Sequence, residues 1–259
     1  MPQPPGYVQP QPSDVTVATP GDNSLFNGGA DPYGSESLTS KLEGRARLGF
    51  IRKVLGILCV QLTFTALGIV AAVQGGIDYV RFYNRHIELI VIALVVYMVC
   101  LYSLGCYKNI ARSVPTNYIM LGLFTGAMTY MVSGVVGLYE PYVVMAAGIL
   151  TAAMTVGLML YAVFTKEDFT ICGGALWILI LVGLTASILS IFIRSRVLQI
   201  MVSAFLIVLL SFYIIFDMQL IMGNQEQALS IDDYVFGAMM LYIDIMRLFL
   251  EILRIFGRK

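Results

Sequence analysis

The sequence predicts an all-α membrane protein, a bundle of seven transmembrane helices preceded by a polar tail. Three observations predict it. Of the 259 residues, 58% are hydrophobic and only 12% charged, where a soluble domain carries about 25% charged residues. The apolar residues gather into seven runs, each roughly 20 residues or longer, enough to cross ~30 Å of hydrocarbon as a helix. Residues 1–44 are instead rich in Pro, Gln, Gly, Asn, Ser and Asp. Such a segment has too little to bury to offset its ordering entropy, and disorder is expected there.

The elements follow in order. The tail, residues 1–44, contains Pro4-Pro5-Gly6-Tyr7. Pro4, Pro5 and Tyr7 match the PPxY ligand of WW-domain proteins, which read a preformed polyproline II segment. The same four residues can equally be a chance match within a Pro-rich tail. The transmembrane domain, residues 45–259, has apolar runs near 49–73, 87–106, 117–138, 142–164, 171–193, 197–221 and 234–256. Helices are required because lipid offers the backbone no hydrogen-bond partners. The first run begins near Leu48, after the polar tail, and reads as an uncleaved span rather than a signal peptide. Glu140-Pro141 almost alone separates spans three and four, which makes them antiparallel neighbours. Tyr139, Tyr142 and Trp177 sit near span ends, where interfacial aromatics belong.

Charge sets orientation and excludes several functions. Sixteen basic and sixteen acidic residues cancel, so no global field favours nucleic acid. His86 is the single histidine, which restricts metal and nucleophile chemistry. Cys59, Cys100, Cys106 and Cys172 form no CxxC pair and are expected to be buried thiols. Lys41, Arg45, Arg47, Arg52 and Lys53 surround the start of span one, and place the N-terminus in the cytosol. Lys108, Arg112 and Lys166 then also fall inside; Arg81, Arg85, Arg194 and Arg196 fall outside. The C-terminal charges pull the other way. If span seven crosses, Arg254, Arg258 and Lys259 end outside; if it re-enters, they end inside.

Ionisable residues within spans are costly and mark function. Asp217 ends a charge-free stretch from Val197 to Phe216, and Met218–Met222 continues beyond it. Asp244 lies well inside span seven. Asp217 is six residues before Gly223 and Asp244 eleven after Asp233, so the two lie ~9 Å and ~17 Å from the connecting loop. A fold in the 223–233 loop can absorb much of that difference and let the carboxylates meet. Two such groups at low dielectric share a proton, a chemistry suited to sensing pH or to holding Ca²⁺ transiently through oxygen ligands. Each aspartate could instead pair with a nearby Arg to hold helices together. Asp244, Arg247, Glu251 and Arg254 are spaced 3, 4 and 3, a stripe less than about 90° wide on a helix. Its alternating signs allow internal pairing. A helix with such a face belongs among the other helices, or else its lower end already lies in the interface.

The segments Gly49-Phe50-Ile51-Arg52-Lys53-Val54, Gln61-Leu62-Thr63, Pro115-Thr116-Asn117-Tyr118, Asp217-Met218-Gln219 with Gly223, Asp232-Asp233-Tyr234, and Leu241-Tyr242-Ile243-Asp244-Ile245 with Leu248-Phe249 together resemble the transmembrane Bax inhibitor motif family, lifeguard branch. The resemblance spans 45–257 and extends to the Pro/Gln/Gly-rich tail. It implies a seven-helix bundle with the last helix enclosed by the other six. It also implies a pH-sensitive Ca²⁺ leak through the endoplasmic reticulum, Golgi or another endomembrane, and suppression of cell death together with cell-death regulators. In that family an aspartate pair senses pH, and Asp217 and Asp244 take its positions. Arg112 is the candidate for the arginine that pairs with them in the closed state; Arg247 and Glu251 are further candidate gating partners. Two departures stand out. Arg247 replaces a common Asn and would compete with a cation for Asp244; Met128 replaces an acid that could serve as a ligand.

Three functions compete on these residues. The first is a Ca²⁺ leak channel or Ca²⁺/H⁺ exchanger with Asp217 and Asp244 as gate, Ca²⁺ being the transported ion and no cofactor being implied. The second is a non-conducting adaptor or structural subunit acting through its tail and helix contacts. The third is an intramembrane aspartyl protease, which uses Tyr-Asp and Gly-x-Gly-Asp motifs. Here Asp217 follows Phe216 and Asp244 follows Ile243; the glycines are missing, and no enzyme is expected.

Overall fold

The computed structural model describes residues 32–193, 195–223 and 228–257, with side chains from Lys41 onward except Ile191. Pro4, Pro5 and Tyr7 lie outside the described residues, as do Arg194, Arg258 and Lys259. The described chain is helical almost throughout. Its helices are α1 (Pro32–Arg85), α2 (Ile87–Cys106), a short α3 (Lys108–Arg112), α4 (Thr116–Val136), α5 (Pro141–Phe164), α6 (Gly173–Ile193), α7 (Arg196–Met222) and α8 (Tyr234–Phe256). A single 3-10 turn, Phe169–Cys172, leads into α6.

Six of these helices are long and apolar enough to cross a membrane, lying within Lys41–Arg85, Ile87–Cys106, Thr116–Val136, Pro141–Phe164, Phe169–Ser190 and Arg196–Met222. The protein is therefore a multi-pass membrane protein. The seventh run, α8, is 23 residues long but carries Asp244, Arg247, Glu251 and Arg254, so length and composition alone do not mark it as a span.

The main departure from expectation is α1. Helix begins at Pro32, inside the segment whose composition suggested disorder, and continues past the end expected at residue 73. From Lys41 to Arg47 every residue except Gly44 (Lys, Leu, Glu, Arg, Ala, Arg) is a good helix former. At the other end, Gly76 takes φ 50°, ψ −130° and kinks the helix, a conformation that a side chain would strain. The residues after the kink carry Arg81 and Arg85 on helix, where a loop was expected.

The core lies where the later helices meet. α8 packs along α7 and α5 and touches α2, α3 and α4. It buries Val235, Ala238, Leu241, Tyr242, Leu248 and Leu253 almost completely. α6 packs chiefly on α7 and leaves Trp177, Ile178, Leu184 and Phe192 exposed, the surface expected of a helix facing lipid. The cysteines depart from expectation: Cys100 is buried, but Cys59, Cys106 and Cys172 are exposed. A helix in lipid has no need to hide an apolar thiol.

Hydroxyls tie α1, α4 and α8 together at mid-span. Gln61 Nε2 donates to Thr125 Oγ1 at 2.8 Å. Thr65 Oγ1 lies 2.9 Å from Thr129 Oγ1 and 2.8 Å from the Tyr242 hydroxyl. Small polar residues allow close helix approach and bond across helices where no water competes.

Candidate functional site: an acidic pair between the last two helices

The connection from α7 to α8 decides where the two aspartates sit. Gly223 closes α7 in the left-handed conformation at φ 68°, its N–H donating to Gln219 O, a common helix stop. The chain then doubles back. Leu229 N–H donates to Leu220 O at 3.1 Å, and α8 starts beside the last turns of α7 rather than beyond them. Gly237 consequently comes level with Ile221, whose side chain a Cβ at 237 would meet at 3.4 Å. From that level Asp217 is four residues back along α7 and Asp244 seven along α8, or ~6 Å and ~10.5 Å of rise. Two side chains bridge the remainder.

Asp217 and Asp244 are 3% and 8% exposed, and their carboxyls lie within hydrogen-bonding reach of each other. Asp244 Oδ2 is buried without a hydrogen-bond partner, an arrangement that costs energy unless a proton, an ion or another donor reaches it. Tyr213, one turn before Asp217 on α7, is close enough to Asp244, Asp217 and Arg247 to feel their charges. Among the described residues no third His, Cys, Asp or Glu joins the pair into a metal-binding cluster. Its donor set, two carboxylates, suits a hard cation in passage better than one held in residence.

The remaining candidates separate from the pair. Arg112, expected beside the aspartates, instead grips Asp233 at the start of α8. Its Nε donates to Oδ1 at 2.7 Å and its Nη2 to Oδ2 at 2.9 Å. The short α3 holds Arg112 at the end of the bundle, too far along the helix axes to reach mid-span. The Asp233 carboxylate raises the Arg112 guanidinium above its usual pKa. Arg247 neighbours Asp244 but its side chain is exposed. Glu251 pairs with Arg254 at 3.2 Å. The α8 stripe therefore splits: Asp244 faces inward, while Arg247 and Arg254 reach the surface. Met128 is buried in apolar packing.

Two positioning residues escaped the sequence reading. Arg47 spreads its guanidinium over the end of α7, donating to the carbonyls of Leu220 (2.7 Å), Met222 (3.1 Å) and Leu229 (2.6 Å). A cation fits the negative end of a helix and satisfies carbonyls left without intrahelical partners. Gln219, 2% exposed, accepts from Phe169 N–H and donates to Glu167 O, stitching the α5–α6 connection to α7. Arg47 read only as a topogenic charge; nothing in its local sequence names a partner more than 170 positions away. The hydroxyl contacts of α4 did have a signal, in the i, i+4 spacing of Thr125, Thr129 and Ser133.

Fold and site together define a multi-pass helical membrane protein with an acidic centre buried between its last two helices. Residues 47–259 match the family described as inhibitor of apoptosis-promoting Bax1, and the chain belongs to this Bax inhibitor family. It is similar to protein lifeguard 3 of Homo sapiens, 30% identical over 219 residues that cover 83% of this chain and 70% of that protein. The mouse protein lifeguard 3 is 29% identical over 83% of this chain and 71% of its own length. The Golgi anti-apoptotic protein of Vaccinia virus (strain Lister) is 32% identical over 86% of this chain and 90% of its own length.

Proposed function

We propose that this chain is an anti-apoptotic protein of endomembranes that lets Ca²⁺ leak across the bilayer under the control of pH, with Asp217 and Asp244 as sensor and gate. The observation that carries the reading is the contact of two buried carboxylates on neighbouring helices, one with an unsatisfied oxygen. In this reading α8 is the seventh crossing, enclosed by the others, and the N-terminus is cytosolic. The bundle supplies a low-dielectric surround in which the pair exchanges a proton for a cation. The names of the viral Golgi anti-apoptotic protein and of the Bax1 inhibitor family support the cell-death role and the endomembrane location.

The test is Ca²⁺ flux into proteoliposomes from about pH 5 to about pH 8, the range of physiological switches. Wild type should show a pH-dependent flux. Asp217→Asn and Asp244→Asn should each flatten the pH profile, because the amide cannot titrate. Well-folded protein with no flux above empty liposomes refutes the leak.

One observation favours a second reading, a non-conducting adaptor. Arg247 brings a positive charge beside Asp244, which disfavours a metal cation there. The adaptor would act through its tail, with Pro4, Pro5 and Tyr7 as a WW-domain ligand. Replacing Tyr7 with Ala would then abolish its cellular effect while Asp217→Asn leaves that effect intact.

A further inference from the structure

Tyr242, two residues before Asp244, carries a hydroxyl into a fully buried position on α8. Its partner is Thr65 Oγ1 of α1, 2.8 Å away. Thr65 gives its one proton to Gln61 O at 3.0 Å. Its two lone pairs are then left to accept from Tyr242 and from Thr129 of α4, the latter at 2.9 Å. Three helices therefore meet in a closed node of three hydroxyls, with Thr65 saturated at its centre. The Phe124 ring stands edge-on to the Tyr242 ring at 6.0 Å between centroids and keeps it in place.

The node and the acid pair share a level on α8. At ~100° per residue Asp244 lies ~200° around the helix from Tyr242, and ~3 Å further along the axis. The two side chains thus leave α8 on opposite sides. Asp244 turns to α7, where Asp217 faces it and Tyr213 stands near, with Arg247 beside it on α8 itself. Tyr242 turns to α1 and α4. Between these two sides α8 presents Leu241, Ile245, Met246, Leu248 and Phe249. In a bilayer such residues are at home against lipid or protein, so hydrophobicity does not choose which face turns to α7. Polar contacts choose it. The carboxyl pair cannot do so alone, because its two like charges repel once both are ionised. The hydroxyl node is uncharged and holds whatever the charge on the pair.

We propose that Tyr242 is a positioning residue for the acid pair: its hydrogen bond to Thr65 fixes the rotation of α8 and so keeps Asp244 against Asp217. The role concerns the contact between the two carboxyls. That this contact gates a leak is the reading proposed above, and only the flux outcome below rests on it.

The test follows the carboxylic acid C=O band by infrared spectroscopy while the full chain is titrated in nanodiscs, with Asp217→Asn and Asp244→Asn marking the pair's share of the band. Two carboxyls in contact titrate in two separated steps, and wild type should show both. Tyr242→Phe removes one oxygen and keeps the ring; it should lose most of the separation between the steps. Thr65→Val, which removes the centre of the node, should do the same, and Thr65→Ser, which keeps the hydroxyl, should restore the wild-type separation. Thr151→Val is the control. Its hydroxyl is also buried, on α5, but is bonded within its own helix to Ala147 O at 2.7 Å, and its loss should leave both steps in place. A single step in wild type overturns the proposal, as do two undisplaced steps in Tyr242→Phe. So does merging of the steps in Thr151→Val, which would reveal a general loosening of the bundle. If Tyr242→Phe does not fold, Thr65→Val set against Thr65→Ser decides in the same way. Ca²⁺ flux on the same samples separates the two claims: the expected steps without wild-type flux support the positioning role and refute the leak.

Discussion

At the residue scale, a few long-reaching side chains hold the acidic pair in register. Arg47 is the clearest. It stacks over the Phe50 ring at 4.9 Å from the centroid while its N–H groups serve three carbonyls at the α7 end. Replacing it with Gln leaves one NH2 group for Met222 O and Leu229 O, while Leu220 O keeps only the Leu229 N–H. Hydrogen bonds to charged groups contribute ~1.5–3 kcal/mol, so Arg47→Gln should cost about that much and lower the melting temperature in detergent. Arg47→Lys keeps the charge without the fork and should recover only part of it. An unchanged melting curve for Arg47→Gln would show that water or lipid replaces the guanidinium without loss. The aspartates invite a prediction of opposite sign. Each proton taken up removes one negative charge from the pair, so Ca²⁺ occupancy should fall as pH drops. Titrating wild type with Ca²⁺ at acidic and neutral pH checks this, with Asp217→Asn as the variant that should bind weakly at both.

At the scale of elements, two backbone departures shape the bundle. Gly76 kinks α1 at φ 50° and redirects the chain, so that Tyr83 packs at a tilt against Tyr130 at 5.3 Å between centroids. Any other residue there would strain the backbone by ~1–3 kcal/mol. Gly76→Ala should therefore destabilise by that order, seen as an earlier thermal transition, while Gly56→Ala, on a regular and open stretch of the same helix, should not. The folded-back connection after Gly223 is the second departure. It brings Leu229 to Leu220, and with it shifts α8 toward Asp217. Straightening that turn would move Asp244 out of reach of its partner without altering either helix.

At the scale of the whole molecule, burial separates the helices into two sets. α6 turns most of its surface outward, whereas α8 contributes the densest part of the core. In a bilayer an apolar helix gains nothing from hiding, so the hydrophobic pattern does not decide which helix is central. The polar atoms do: Asp244, Tyr242 and the hydroxyls of Thr65 and Thr129 must avoid lipid, and they draw α8 inward. The charges that cannot all be enclosed, Arg247 and Arg254, emerge on the side facing α6.

Local sequence was enough for the membrane class, for five of the six apolar spans to within a few residues, and for the two intramembrane aspartates as the residues to examine. These are local properties. A run of apolar residues must be helical in lipid, and a carboxylate among them is conspicuous wherever the chain goes. Tertiary structure alone decided the partners. It sent Arg112 to Asp233, spread Arg47 over the end of α7, turned the connection after Gly223 back on itself, and exposed three of the four cysteines. Each of these depends on distances between residues far apart in the chain, and on which face of a uniformly apolar helix turns inward. That face is chosen by a handful of hydrogen bonds whose two ends never appear together in the sequence.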